Sequence, residues 1–428
     1  MAEMADDGIE VTFVTERLDA YRANAGFELI ERAARVVEVT DLSGGHDLAA
    51  RLRGRLGPHP VDGVICRDEN LLHAAARFAR DLGLPHESLE AARLLGDKSA
   101  VRERLGKAGI GSLRWRRAVT EEEGLAAVDE IGLPCVVKPT SGRYSVGVTV
   151  AWTREQAAAG LAEVLGSPYG NGAGNATASA AGTGGGDANG DQDGEGRPAA
   201  LVEEYAVGRH VSAELIVQDG RVVLYGFAER VPTAPGTTAE LGGHFPARFP
   251  GMGAARRFVL DAVEALGVRA SALHVELLLT PTGPELIEVN GRIAGHVVTR
   301  QMSLALDRSV ARDLVALATG TPVEDAAPPV ATVALRALWS RTEGIVRGTV
   351  PGPRELPAGV VDCEVTAGPG DRVPALGTNH DRFGYLMVRG ADAATAVRTA
   401  AEAADLVQEA LRIEPVAAVR PEAGRERP

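Results

Sequence analysis

Four side chains in the middle of the chain, Glu276, Glu288, Asn290 and Arg292, have the types and spacing to do chemistry together. They lie in HVELLLTPTGPELIEVNGR, residues 274–292, where two apolar runs flank Thr280-Pro281-Thr282-Gly283-Pro284, so the expected form is two strands and a turn. On the second strand a period of two puts Glu288, Asn290 and Arg292 on one face and sends Ile287 and Val289 the other way, into a core. Glu276, on the partner strand, can join that face. Two carboxylates and an amide oxygen beside a guanidinium suit Mg²⁺, a hard cation that seeks oxygen and also holds phosphate oxygens, with the arginine facing the same anion. A half-exposed strand with a charged outer face would also read E-x-N-x-R, so the decision rests on the surrounding chain.

Two lysines upstream bear on it. Lys98 follows Asp97 at the start of DKSAVRERLGKAGI, a helix with Val101 and Leu105 one turn apart. A lysine in the first turn opposes the helix dipole unless an anion sits there, although a solvated surface lysine reads the same way. Lys138 closes a short apolar strand, residues 133–139, and precedes Thr140-Ser141-Gly142-Arg143-Tyr144-Ser145-Val146-Gly147, with another strand at 148–152. A loop of glycines and serines in that setting can fold over phosphates, offering backbone N–H groups and hydroxyls. A plain turn accounts for the glycines but not for the lysine. Farther on, LVEEYAVGRH, residues 201–210, ends one strand and begins the next. Its Glu203 and Glu204 are either a solvated edge or a segment where carboxylate and backbone meet an adenine amino group. His244 and Arg248 in the loop-like residues 237–250, and His296 beyond Arg292, are either substrate contacts or ordinary surface groups.

The elements that must hold these residues follow from hydrophobic periodicity. Strands at 9–15, 36–39 and 61–66 alternate with helices at 25–34, 48–56 and 70–82, giving a small open α/β sheet without a G-x-G-x-x-G. Helices at 122–130 and 153–165, strands at 200–202, 211–217 and 222–228, and a helix at 256–266 lead to the central hairpin. Residues 168–196 are almost all Gly, Ala, Asn, Asp and other small or polar types; they cannot bury enough apolar area to offset chain entropy and are expected to be a disordered surface insertion. After Arg292 come helices to 306 and over 310–317, a linker at 326–329, then strands at 330–338, 344–350, 360–365 and 385–388 and a helix at 391–411, a compact α+β unit with a frayed tail from 415.

At 428 residues, 45% hydrophobic and 24% charged, the chain reads as a soluble globular protein of two to four domains. A formal charge of −13 argues against a nucleic-acid or membrane-surface partner, which would need a basic footprint, but a nucleotide needs only a few local cations. The acidic start MAEMADDGIE lacks the pattern of a leader, and no apolar segment is long enough to span a bilayer, so a cytoplasmic location is expected. Cys66, Cys135 and Cys363 lie far apart and support neither a disulfide framework nor a thiolate metal site.

Taken in order, Lys98, Lys138 before a glycine-rich hairpin, EEYAVGRH, Glu276 and E-V-N-G-R resemble the ATP-grasp superfamily over most of residues 1–320, and GRIAGHVVTRQM with the C-terminal unit is most similar to carboxylate-amine ligases of the L-amino acid ligase type. The resemblance implies an α/β fold, α+β in parts. Its expected parts are a pre-ATP-grasp domain at 1–95, an ATP-grasp domain at 96–322 with a lid at about 115–205 and the insertion at about 168–198, and a C-terminal α+β domain at 328–415. It also implies that Lys98, Lys138 and the loop carrying Ser141, Gly142, Ser145 and Gly147 contact ATP phosphates. Glu203, Glu204 and the backbone at Ala206 would hold adenine, and His210 would lie near the ribose. Glu276, Glu288 and Asn290 would ligate Mg²⁺, typically two ions and with Mn²⁺ an alternative, while Arg292 steadies the transferred phosphoryl group. Tyr144 departs from the small residue many members have in the loop. The implied activity is ATP-dependent joining of a small carboxylate to an amine through an acyl-phosphate, in a protein that can be a homodimer. Biotin carboxylase chemistry and a nucleotide-binding protein without turnover are the competing readings.

Overall fold

The computed structural model describes residues 2–22, 27–42, 48–57, 60–142, 146–166, 198–231, 239–295 and 297–416. The 168–196 stretch, the tail from 417, and Tyr144, Ser145 and His296 lie outside the described residues. Two units share the chain: Met1–Glu229 with Ala247–Pro329, and Arg230–Pro246 with Val330–Pro428.

The first unit begins with α1 (Ala2–Asp6), β1 (Thr12–Thr15), α2 (Leu18–Arg22), α3 (Phe27–Ala33), β2 (Arg35–Glu38) and α4 (Leu48–Leu56). β1 and β2 pair in parallel, and Val37, Leu48, Leu52, Leu56 and Phe78 close a core over them. Residues 61–66, expected as a third strand, are irregular. Gly63 lies so close to Ala318 that a Cβ would be 3.0 Å from the Ala318 Cβ, so this segment packs on a helix, and among the described residues no strand pairs with it. One turn of 3₁₀ helix at Glu69–Leu71 then leads into α5 (Leu72–Asp81), α6 (Leu89–Leu95) and α7 (Lys98–Lys107). Helix α6 is too short to stand out by periodicity; Ser88 Oγ caps it by accepting from Ala91 N at 3.1 Å.

Next come β3 (Trp115–Ala118), α8 (Glu121–Ile131), β4 (Cys135–Pro139), β5 (Thr149–Ala151), α9 (Arg154–Gly166) and β6 (Ala200–Glu204), whose strands form an antiparallel sheet in the order β3-β6-β4-β5. Cys135, Val137, Ala200 and Val202 point to one face, where they pack with Val128, Ile131 and Leu161 of the two helices. By alternation Lys138 and Glu203 stand on the other face.

β7 (Arg209–Gln218) and β8 (Arg221–Arg230) turn through Asp219 and Gly220, both at positive φ (53° and 81°). After β9 (Gly242–Phe245), which belongs to the second unit, the first unit resumes with α10 (Met252–Leu266), β10 (Ala270–Thr280), β11 (Gly283–Asn290), α11 (Val298–Leu306) and α12 (Val310–Thr319). Its strands run antiparallel in the order β11-β10-β7-β8 over a core that includes Leu215, Val259, Val263, Val275, Leu277, Leu286 and Val289. Within the β10–β11 hairpin strict alternation fails once: Glu276 pairs with Glu288, but Leu277 pairs with Leu286, so Ile287 is the extra residue of a bulge. Leu286 and Val289 therefore enter the core, not Ile287 and Val289.

In the second unit β9, β12 (Thr332–Leu338), β14 (Gly384–Gly390) and β13 (Val360–Val365) pair in the order β9-β12-β14-β13. Helix α13 (Ala393–Leu411) packs Ala396, Ala400, Ala403 and Val407 against Ala334, Leu338, Leu386 and Val388. β9 corrects the loop expected at 237–250: a Cβ on Gly242 would run into the Leu335 carbonyl, so the glycine serves close strand approach and not a turn. Among the described residues no helix is long and apolar enough to cross a membrane.

Candidate functional site

The hairpin delivers its acids to one face. Glu276 and Glu288 are direct partners across β10 and β11, and the next pair on that face is His274 with Asn290. On the other side of β10, Glu276 pairs with Ser212, His274 with Glu214 and Leu278 with His210, so β7 adds a second row to the same face. Carboxylates placed directly opposite repel. Neighbouring donors offset this: His274 Nε2 lies 2.8 Å from Glu276 Oε1, His210 Nε2 lies 3.0 Å from Glu276 Oε2, and Lys98 Nζ lies 3.6 Å from Glu288 Oε2. Asn290 donates its amide nitrogen to Glu288 Oε1 at 3.0 Å. Burial alone would push the His274 imidazole down, but Glu214 and Glu276 outweigh it and the ring is pulled up to about 10. No group of three or more His, Cys, Asp and Glu gathers for a metal among the described residues, so a site here needs the Asn290 oxygen with the two carboxylates. That all-oxygen set has the chemistry Mg²⁺ requires.

Helix α7 ties this face to the loop after β4. Asp97 caps the helix, its Oδ1 accepting from Ser99 N at 2.7 Å and Ala100 N at 3.2 Å. Lys98 donates its backbone N–H to Thr140 O at 2.8 Å and its ammonium to Gly142 O at 2.9 Å. The anions that make a lysine tolerable in the first turn are thus Asp97 and Glu288. A cleft opens here, lined by Glu69, Lys98, Arg102, Gly142, Glu288 and Asn290.

Lys138 and Glu203 meet on the open face of the β3–β6 sheet, Nζ to Oε2 2.5 Å, and Arg102 Nε takes the other oxygen at 2.6 Å. All three are buried. Burial pushes the Glu203 carboxyl up, yet Lys138 and Arg102 overcome it and hold the group below the usual carboxylate range. Arg102 also donates to Leu286 O at 2.7 Å, and both Arg102 and Lys138 reach Ile287 O at 3.3 Å, so the bulge supplies the acceptor.

Arg292 lies past the end of β11 and pairs with buried Glu69, with Nη1 donating to Ile293 O at 3.0 Å. Burial raises the Glu69 carboxyl above its ordinary value, Arg292 opposes this and Glu288 adds to it. Of the other expected residues, Ser141 and Gly147 border the loop, Glu204 accepts from Arg114 Nε at 3.1 Å, and Ala206 is half-buried between β6 and β7. His244 lies on β9 in the second unit, while Arg248 is exposed in the first. Ser145 and His296 fall outside the described residues. Sequence reading missed Arg102, Glu69, Glu214 and His274. The signals were present for three of them: Arg102 is one turn after Lys98, His274 is two before Glu276, and Glu214 is four after His210.

Residues 175–296 match the family model of the ATP-grasp domain, and residues 336–412 match that of L-amino acid ligase C-terminal domain 2. The uncharacterized protein y4rH of Sinorhizobium fredii is 26% identical over 329 residues, 76% of this chain and 63% of that protein. The alanine–anticapsin ligase of Bacillus subtilis is 34% identical over 97 residues, 23% of this chain and 21% of the enzyme, so the chain spans under two thirds of the length of both relatives. The crystal structure of L-amino acid ligase from Bacillus licheniformis has a TM-score of 0.74 at 19% identity, covering 97% of this chain and 95% of that one. That of phosphoribosylglycinamide synthetase from Anaerococcus prevotii has 0.66 at 17%, covering 96% and 95%. At these identities the structural likeness speaks for the fold. This chain thus carries one segment that matches the ATP-grasp domain and a later one that matches C-terminal domain 2 of the L-amino acid ligases, on a fold that these solved structures share.

Proposed function

We propose that this protein is an ATP-dependent ligase that joins a carboxylate to an amine through an acyl-phosphate, forming an amide or peptide bond with an amino acid. The observation that carries this reading is the shared face of Glu276, Glu288 and Asn290, with Lys98 against Glu288 and Arg292 two residues beyond the strand. A protein that only stored nucleotide could dispense with a guanidinium there for its ligand, although this one also pairs with buried Glu69.

A carboxylate resists attack by an amine because oxide would have to leave. In the proposed reaction a carboxylate oxygen attacks the γ-phosphorus of ATP and the bond to ADP breaks. The amine then attacks the acyl carbon, phosphate leaves with the electrons of the C–O bond, and the amine gives up a proton. Mg²⁺ held by Glu276, Glu288 and Asn290, two ions in the arrangement we favour and replaceable by Mn²⁺, would supply charge neutralisation at the phosphates. Lys98 and Lys138 bind phosphate oxygens in this scheme, and Lys138 exchanges part of its contact with Glu203 for them. The loop carrying Ser141, Gly142 and Gly147 covers the phosphates and keeps water from the acyl-phosphate. Glu203, Glu204 and the Ala206 backbone receive adenine, His210 the ribose, and Arg292 orients the phosphoryl group by its planar fork. His244 and Arg248 are kept as candidates for substrate contact.

Incubation with MgATP and pairs of amino acids tests this, with ADP and phosphate quantified and products identified by mass. One amide formed per ADP and per phosphate supports the ligase. Turnover only with bicarbonate and biotin would replace it with carboxylation, and nucleotide binding without turnover over the whole panel would end the enzymatic reading.

A further inference from the structure

Glu214, His274, Glu276 and His210 form an unbroken hydrogen-bonded chain across β7 and β10. His274 Nδ1 lies 2.7 Å from Glu214 Oε1, and its Nε2 lies 2.8 Å from Glu276 Oε1. The second oxygen of Glu276 is 3.0 Å from His210 Nε2, and Ser212 Oγ donates to Glu214 Oε1 at 2.8 Å. A carboxylate oxygen at each ring nitrogen leaves the imidazole one orientation in which both are satisfied. The relative exposures are 0% for Glu214, 4% for His274 and 9% for Glu276.

A buried set of two acids and a base is an expensive way to fill a core, since well-packed apolar side chains of similar volume stabilise as well or better. Its order across the strands suggests what it does. Glu214, fully buried, stands at the inner end of the chain of bonds, and Glu276 stands opposite Glu288 at the acidic face. The strands beneath are fixed by ladder pairing on both sides of β10, so restraint applied at Glu214 reaches Glu276 through one rigid imidazole.

We propose that His274 is a positioning residue that fixes the orientation of the Glu276 carboxylate for a divalent cation, and that Glu214, steadied by Ser212, fixes the His274 ring in turn. This rests on the proposed role of Glu276 as a metal ligand. Partners of this kind set ligand orientation, and their loss costs about 10–100-fold in metal affinity.

The test measures Mn²⁺ binding to the full chain in the presence of a non-hydrolysable ATP analogue, by the electron paramagnetic resonance of free Mn²⁺, for the wild type, His274→Gln, Glu214→Gln and the double variant. The Mn²⁺ Kd is expected to rise about 10–100-fold in His274→Gln and less in Glu214→Gln. Analogue affinity at saturating Mn²⁺ should stay within about twofold, and the double variant should match His274→Gln, because Glu214 acts through the ring. Calorimetry establishes that each variant is folded. Folded variants with the wild-type Mn²⁺ Kd would overturn the proposal, as would failure of both single variants to fold, which would make the chain of bonds purely structural. A wild type that binds no Mn²⁺ with the analogue would overturn the ligand assignment of Glu276 itself, and this proposal with it.

Discussion

Glu276 and Glu288 face each other as direct partners across β10 and β11, two like charges where a ladder would ordinarily place a compatible pair. The arrangement makes sense if their joint purpose is to bind a cation. With Glu288 as a metal ligand, its replacement by Gln should lower kcat/KM for MgATP by on the order of 10²-fold or more, the cost of loosening the cation that would neutralise the phosphoryl group. The melting temperature should stay within about 4 °C, since Glu288 is only half-buried and its substitution leaves no buried charge unpaired. Steady-state kinetics and calorimetry on the same preparation check both halves.

Glu203 is different, because it lies between two buried cations. Glu203→Ala leaves Arg102 and Lys138 without their counter-charge and should destabilise the first unit by about 3–5 kcal/mol, read from the urea midpoint. The pH dependence has a definite sign. Arg102 and Lys138 hold the folded carboxyl below its ordinary 4.5, so its contribution is complete above that pH and is lost as pH falls through the lower folded value. Wild-type stability should therefore drop more steeply below about pH 4.5 than that of Glu203→Gln.

Arg292 combines a planar fork with a buried partner. Arg292→Lys keeps the charge but not the two-pronged geometry, and kcat should fall by on the order of 10²-fold while the Kd for ATP changes little. Glu69→Gln should cost about tenfold, because it loosens the guanidinium without removing it. If Arg292→Lys retained full kcat, Arg292 would be serving only as the partner of Glu69.

The thiols should be inert. Burial pushes Cys66 up to about 12 and raises Cys135 and Cys363 as well, so little thiolate exists near neutrality. Treatment with a thiol-reactive dye at pH 8 should label the folded protein at least about tenfold more slowly than protein in guanidinium. Rapid labelling of Cys66 in the native state would contradict the environment described for it.

Much of the fold is legible in the sequence because it rests on side-chain periodicity. The hairpin, the helix that starts at Lys98 and the short strand that Lys138 closes all follow from spacing, and the structure contains them. What escapes depends on contacts between distant segments. Residues 61–66 have strand composition, but strand pairing requires a neighbour that the sequence does not announce. Gly242 looks like loop material until its close approach to Leu335 is known. Arg102 shares a helix face with Lys98, but what it binds there is hidden, because its partners, Glu203 and the Leu286 carbonyl, are 101 and 184 positions away. The ladder irregularity at Ile287 shifts which apolar residues go inward without disturbing Glu288 or Asn290, and no periodic template anticipates it.

That irregularity separates two duties that one strand would otherwise have to share. Deleting Ile287 would restore an even ladder with Leu286 and Val289 still facing inward, and the acids would keep their outlook. The carbonyl that receives Lys138 and Arg102 would be gone. A protein shortened by that one residue would keep its acidic face and lose one acceptor that its two basic side chains share, leaving both to lean on Glu203 and Arg102 on the Leu286 carbonyl.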